Sequence, residues 1–217
     1  MSGTSPRYSR DQSEFDRAIG FVDATFALAL TLLVTTLDVD NPRVAFSSLG
    51  ALDRAAGAQF VTFLIAFAVI ANYWLQHHRL IASFAAIDYT VIVVNLFLIA
   101  AIVLLPFSTK DVGDPGVKDL PLPSAVMAVN VVAASVLHTL VYVVAVRHNL
   151  LSTVPSRGEV RYNVVNALAA AVIFAASVPI AYLVSPFAAT ITWVGLLPIS
   201  WLLSRYTARW LRTSDTA

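Results

Sequence analysis

Polar side chains interrupt two long apolar runs of this sequence, at positions where they could bind ions, relay protons or pair across helices. The run FVDATFALALTLL, which starts at Phe21, contains Asp23 and Thr31. A second run ends in NYWLQHHRL and carries the adjacent histidines His77 and His78. A polar group costs free energy inside a membrane, so each one is a candidate for a functional role.

The residue types argue against enzyme chemistry at these positions. Two adjacent histidines are a weak metal signal, because zinc takes three or four protein ligands. The sequence has no GxSxG, no HExxH and no phosphate-binding glycine loop, and it has no cysteine. We therefore expect no catalytic residues, no resident metal and no cofactor.

Composition indicates the environment that surrounds these residues. Of 217 residues, 58% are hydrophobic and 12% are charged, whereas soluble domains carry about 25% charged residues. The net charge of +1 gives no field that would attract nucleic acid. Six stretches approach the roughly 20 apolar residues that a membrane helix needs. They predict an all-α integral membrane protein with six spans at about 18–37, 59–75, 89–107, 124–146, 164–184 and 187–203.

The remaining segments receive simpler predictions. We expect a cytoplasmic N-terminal segment at 1–16, a six-helix transmembrane domain at 17–205 and a cytoplasmic tail at 206–217. About the first twelve residues are expected to be disordered. The segment 42–57 is expected to form a short amphipathic helix on the membrane surface.

The arginines and lysines fall unevenly on the two sides of this layout. One side carries Arg7, Arg10, Arg17, Arg79, Arg147, Arg157, Arg161, Arg205, Arg209 and Arg212. The other side carries Arg43, Arg54, Lys110 and Lys118. Because basic residues concentrate in cytoplasmic loops, both termini are predicted to be cytoplasmic.

The first span has one face that combines apolar and hydroxyl side chains. At 100° per residue, Ala24, Leu28, Thr31, Leu32 and Thr35 fall within one stripe. Asp23 lies outside that stripe, so we expect it to face a neighbouring helix. The stripe itself is typical of helix–helix packing, where small and apolar residues allow close approach. It also suits the wall of a narrow pore.

Two segments resemble the transmembrane protein 175 family of potassium channels in its prokaryotic single-repeat form. The first is RAIGFVDA, which begins at Arg17 and is followed by the apolar run to Leu37. The second is YWLQHHR, which begins at Tyr73 and is followed by Asn95 and then LLPFST. Together they cover about the first half of the chain. One departure is Val22, where the family has a serine.

The resemblance implies a homotetramer of six-helix subunits in the plasma membrane of a prokaryote, with the first helix lining a central pore. It implies a potassium-selective, leak-like cation channel whose constriction comes from Leu28, Leu32 and Thr35, with the Thr31 hydroxyl beside them. The signature and its interhelical network map onto Arg17, Phe21, Asp23, Trp74, His77, His78 and Asn95. Among these, His77, Trp74 and Asn95 are the candidate partners of Asp23.

Two other functions remain compatible with the residues. A proton-coupled secondary transporter would use Asp23 and His138 as a proton relay. A membrane scaffold would carry no ion flux at all. Partners expected on the channel interpretation are further copies of the chain, the lipid bilayer and permeant potassium ions.

Overall fold

Long apolar runs with few charges form the helices of the computed structural model, which describes residues 6–39, 41–114, 116–117 and 119–194. The helices are α1 (Ser13–Leu32), α2 (Pro42–Ala45), α3 (Leu49–Ala82), α4 (Tyr89–Lys110), α5 (Pro121–Arg147), α6 (Arg157–Leu183) and α7 (Pro186–Val194). Five of them, α1 and α3 to α6, are long and apolar enough to cross a bilayer. A multi-pass helical membrane architecture is therefore confirmed.

Helix α4 lies at the centre of the bundle. It packs against α1, α3 and α5, and α5 packs in turn against α6. Its buried side chains, among them Val91, Leu98 and Ile102, lie on several faces of the helix. A helix that is apolar all round is expected in such a central position.

Helix α3 is longer than its apolar run. Its 34 residues span about 51 Å at 1.5 Å per residue, against a hydrocarbon thickness of about 30 Å. The Ser48 hydroxyl caps its start by accepting from the Ala51 amide at 3.1 Å. The prediction of a separate surface helix over 42–57 is wrong, because only Pro42–Ala45 form α2 and α3 begins already at Leu49.

The sixth predicted span is described only in its first part, as α7. Trp193 holds α7 against α6, since its indole stacks on Phe174 at 5.2 Å and its Nε1 donates to the Ser177 hydroxyl at 2.9 Å. Residues 195–203, Lys118, Arg205, Arg209, Arg212 and the tail at 206–217 lie outside the described residues.

The N-terminal segment contains a short strand. Strand β1 (Arg7–Ser9) pairs antiparallel with β2 (Ala86–Asp88), so that Tyr8 lies opposite Ile87. The expectation of disorder is therefore wrong for residues 7–12. A strand of three residues is too short to show the alternation by which strands are recognised, and its pairing depends on a partner far away in the sequence.

Candidate functional site on helix α1

Helix α1 uses one face for the core of the subunit. Its buried side chains are Phe15, Val22, Phe26 and Ala29, and Leu33 continues them in the 3₁₀ turn Leu33–Thr36 that extends the helix. Their spacing of seven, four, three and four residues is that of a single helical stripe. That stripe is centred roughly 130° from Leu28 around the helix axis.

The opposite face is left uncovered by the subunit. Leu28 is 54% exposed and Leu32 is 37% exposed. Ala24, Thr31 and Thr35 are exposed as well. The five residues that the sequence groups in one stripe thus form one exposed face, which we call the open face of α1.

The threonines on the open face donate to their own helix. The Thr31 hydroxyl donates to the Leu28 carbonyl at 2.8 Å, and the Thr35 hydroxyl donates to the Leu32 carbonyl at 2.6 Å. A hydroxyl has one donor hydrogen and two lone pairs. With the hydrogen used inside the helix, each threonine oxygen retains a lone pair that can contact a cation or water.

Asp23 lies at the edge of the buried face and bonds to α3. The Trp74 indole Nε1 donates to Asp23 Oδ1 at 3.1 Å. Trp74 also stacks on His78, with ring centroids 5.4 Å apart. The aspartate and tryptophan line an open cavity of about 320 Å³ between α1 and α3, together with Phe26, Ala27 and Leu30. This hydrogen bond joins α1 to α3.

His77 is fully buried and makes no hydrogen bond to Asp23. Its ring is 5.8 Å from that of Phe26 and 6.0 Å from that of His138 on α5. Within the described part of the chain, neither ring nitrogen of His77 has a hydrogen-bond partner. The histidine therefore packs α3 against α1 and α5.

Asn95 lies on α4 and faces α1. Its Oδ1 is buried and has no hydrogen-bond partner among the described residues. Asn95 and Val22, each 4% exposed, line the same cavity of about 50 Å³. The valine places no donor in this space, whereas a serine at the same position would carry a hydroxyl.

The structure does not draw all signature positions together. Arg17 and Phe21 are exposed on the same side of α1 as Leu28. Arg17 has no hydrogen bond or ion pair to any residue that the structure describes. Among the polar contacts that the sequence did not predict, the Tyr73 hydroxyl lies 2.5 Å from that of Ser135 and joins α3 to α5. Both residues stood in the apolar runs, but only the fold pairs them.

Known protein sequences resemble the part of the chain that contains α1. The family described as the endosomal/lysosomal potassium channel TMEM175 matches residues 17–106. The resemblance to the TMEM175 family is confirmed. A potassium channel of Streptomyces collinus is 31% identical over 100 residues, which are 45% of this chain and 47% of that protein. One of Chamaesiphon minutus is 31% identical over 101 residues, or 46% of this chain and 49% of that protein.

The chain thus matches about half the length of these curated relatives. The region that matches the TMEM175 family includes most of α1, all of α3 and most of α4. Solved structures show a similar fold over most of the chain. The crystal structure of a TMEM175 homologue from Chamaesiphon minutus, described as a lysosomal potassium-selective channel homologue, covers 88% of this chain and 98% of its own. It has a TM-score of 0.72 at 22% identity. A point variant of the potassium channel MtTMEM175, crystallised in complex with a nanobody fusion, has a TM-score of 0.62 at 17% identity and covers 96% and 99%.

Proposed function

We propose that the protein is a potassium-selective, leak-like cation channel. Four six-helix subunits surround a central pore, and the open face of each α1 lines it. Leu28 and Leu32 form apolar rings, and Thr31 and Thr35 add hydroxyl oxygens beside them. The pore belongs to the plasma membrane of a prokaryote, with both termini in the cytoplasm.

One observation carries this proposal. The open face of α1 combines leucines and threonines, lies opposite the face that α1 buries, and belongs to the segment that matches TMEM175. A face directed only at lipid gains nothing from threonine oxygens. Around a shared axis the same oxygens line the path of an ion.

The chemistry of such a constriction follows from hydration. A ring of leucines leaves little room for water, so the pore can close by dewetting. A cation that passes must give up part of its hydration shell, and potassium releases water more readily than sodium does. Lone pairs on Thr31 and Thr35 replace part of the lost coordination. Because position 35 carries a threonine, this end of the constriction is more polar than the Leu28 end.

Asp23 has a supporting role in this account. Its bond to Trp74 orients α1 so that Leu28 and Leu32 point away from the subunit core. A carboxylate in this region needs a donor, and the indole supplies one. The aspartate therefore acts on conduction through the orientation of the helix.

The test is ion flux into liposomes that contain the purified protein. The channel proposal predicts potassium uptake that exceeds sodium uptake and, in single-channel recordings, steps of current that increase linearly with voltage. Uptake that saturates with potassium concentration and follows a proton gradient would instead identify a transporter. Absence of any flux above that of empty liposomes would identify a scaffold.

A further inference from the structure

We propose that His148 and Asp88 are positioning residues that hold strand β1, and through it the first turn of α1, in the conducting arrangement. The inference rests on the proposed function, because it assigns the consequence to conduction. We call the assembly of β1 with residues 83–88 and 148–152 the N-terminal latch.

Hydrogen bonds outside the short β ladder also attach strand β1 to the segment after α3. The Arg10 amide donates to the Ala85 carbonyl at 3.0 Å. The Arg10 guanidinium donates to the carbonyls of Ala82 at 2.9 Å and Phe84 at 3.2 Å. These two carbonyls lie at and just beyond the end of α3, where main-chain acceptors lack partners within the helix.

The turn between α5 and α6 closes the other side of the latch. The Ala85 amide donates to the Leu150 carbonyl and the Ser152 amide donates to the Ser83 carbonyl, each at 2.8 Å. The Arg7 guanidinium donates to the His148 carbonyl. Three segments that are distant in sequence therefore meet where α1 begins.

The Asp88 carboxylate connects β2 with the turn between α5 and α6. Its Oδ1 caps α4 by accepting from the Val91 amide at 2.9 Å, and its Oδ2 lies 2.5 Å from His148 Nδ1. Asp88 is buried, whereas His148 is half-buried. A buried carboxylate that loses one of two partners is strongly destabilised, so His148 contributes directly to the stability of β2 and of the strand paired with it.

The latch is coupled to α1 by a short and ordered connection. Residues 10–12 separate β1 from α1, and the Gln12 amide donates back to the Ser9 carbonyl of β1 at 3.0 Å. The Arg10 guanidinium lies 6.0 Å from the ring of Phe15, which is buried in the first turn of α1. A displacement of β1 is therefore transmitted to the start of the helix.

The experiment uses two substitutions at one position. H148A removes the partner of Asp88, whereas H148N keeps a donor at the place of Nδ1. R161Q removes an exposed arginine on the same side of the bundle and serves as the control. The full-length protein in liposomes is used throughout, with the same pH on both sides.

The first readout is hydrogen–deuterium exchange of a peptide that includes residues 7–12. We expect H148A to raise the exchange rate of the Arg10 amide about tenfold or more, and H148N and R161Q to leave it near that of the wild type. The second readout is potassium flux through the same preparations. H148A should lower the flux below that of the wild type, whereas H148N and R161Q should keep it near the wild-type value.

The two readouts separate the inference from the proposed function. Unchanged exchange in H148A would show that the pair does not hold β1. Faster exchange with unaltered flux would show that the latch does not act on conduction. If the wild type carried no potassium flux, the channel proposal would fail while the exchange result still decided whether His148 holds the strand.

Discussion

Leu28 and Leu33 offer a matched pair of substitutions on opposite faces of the extended α1 helix. Leu28 is 54% exposed on the open face, whereas Leu33 is fully buried in the core of the subunit. Truncation of each to alanine removes the same atoms. The pore account predicts that the two changes affect different properties.

The expected magnitudes follow from burial. Leu33→Ala removes a fully buried side chain and should cost about 2–5 kcal/mol of stability. Leu28→Ala removes a side chain that the subunit buries only by about half, so it should cost roughly 1 kcal/mol. At the constriction, a reduction of the dehydration barrier by about 1.4 kcal/mol raises the rate of ion passage about tenfold.

The assay combines single-channel recording in bilayers with thermal unfolding of the same preparations. L28A should conduct roughly tenfold more than the wild type, with a lower potassium/sodium ratio and nearly unchanged thermal stability. L33A should unfold at a lower temperature, and the channels that remain folded should keep the wild-type ratio. If L28A left conductance and selectivity unchanged, the assignment of the open face to the pore would be refuted.

Two further substitutions test the contacts of α1 with α3 and α4. Trp74→Phe keeps an aromatic ring but removes the indole N–H that donates to Asp23. It should lower stability by roughly 1.5–3 kcal/mol and broaden the distribution of single-channel conductances. No effect on either would show that this bond does not orient the helix. Val22→Ser supplies a donor to Asn95 Oδ1, which has no partner in the described part of the chain. It should be more stable than Val22→Ala by about 1–3 kcal/mol in thermal unfolding. Equal stability of the serine and alanine variants would contradict that reasoning.

The sequence was sufficient to predict the main helices and the two faces of α1. Apolar runs of the required length mark helices in a membrane protein, because a chain in lipid must satisfy its backbone groups internally. The stripe that contains Leu28 and Thr31 could be placed by helical periodicity alone. The likeness to TMEM175 was visible because each of the two segments that carry it contains a compact motif.

Contacts between distant segments could not be predicted in this way. Trp74 was one of three candidates for Asp23, and only the packing of α3 on α1 selects it. The pair of His148 and Asp88 depends on the meeting of two loops, neither of which carries a motif that would single it out. Strand β1 was missed for the same reason, since its partner follows α3 rather than neighbouring it in the chain.

The most direct test of the central claim, that the open face of α1 lines a cation pathway, uses the absence of cysteine from the sequence. Leu28→Cys would introduce the only thiol, and silver ion, a thiol-reactive monovalent cation, could reach it through a cation pore. Val172→Cys on α6 is the matched control, because Val172 is also largely exposed on the subunit, at 66%, but lies off α1. The account predicts that silver blocks potassium flux through L28C and leaves flux through V172C and the wild type unaffected. Continued flux through L28C in the presence of silver would contradict it.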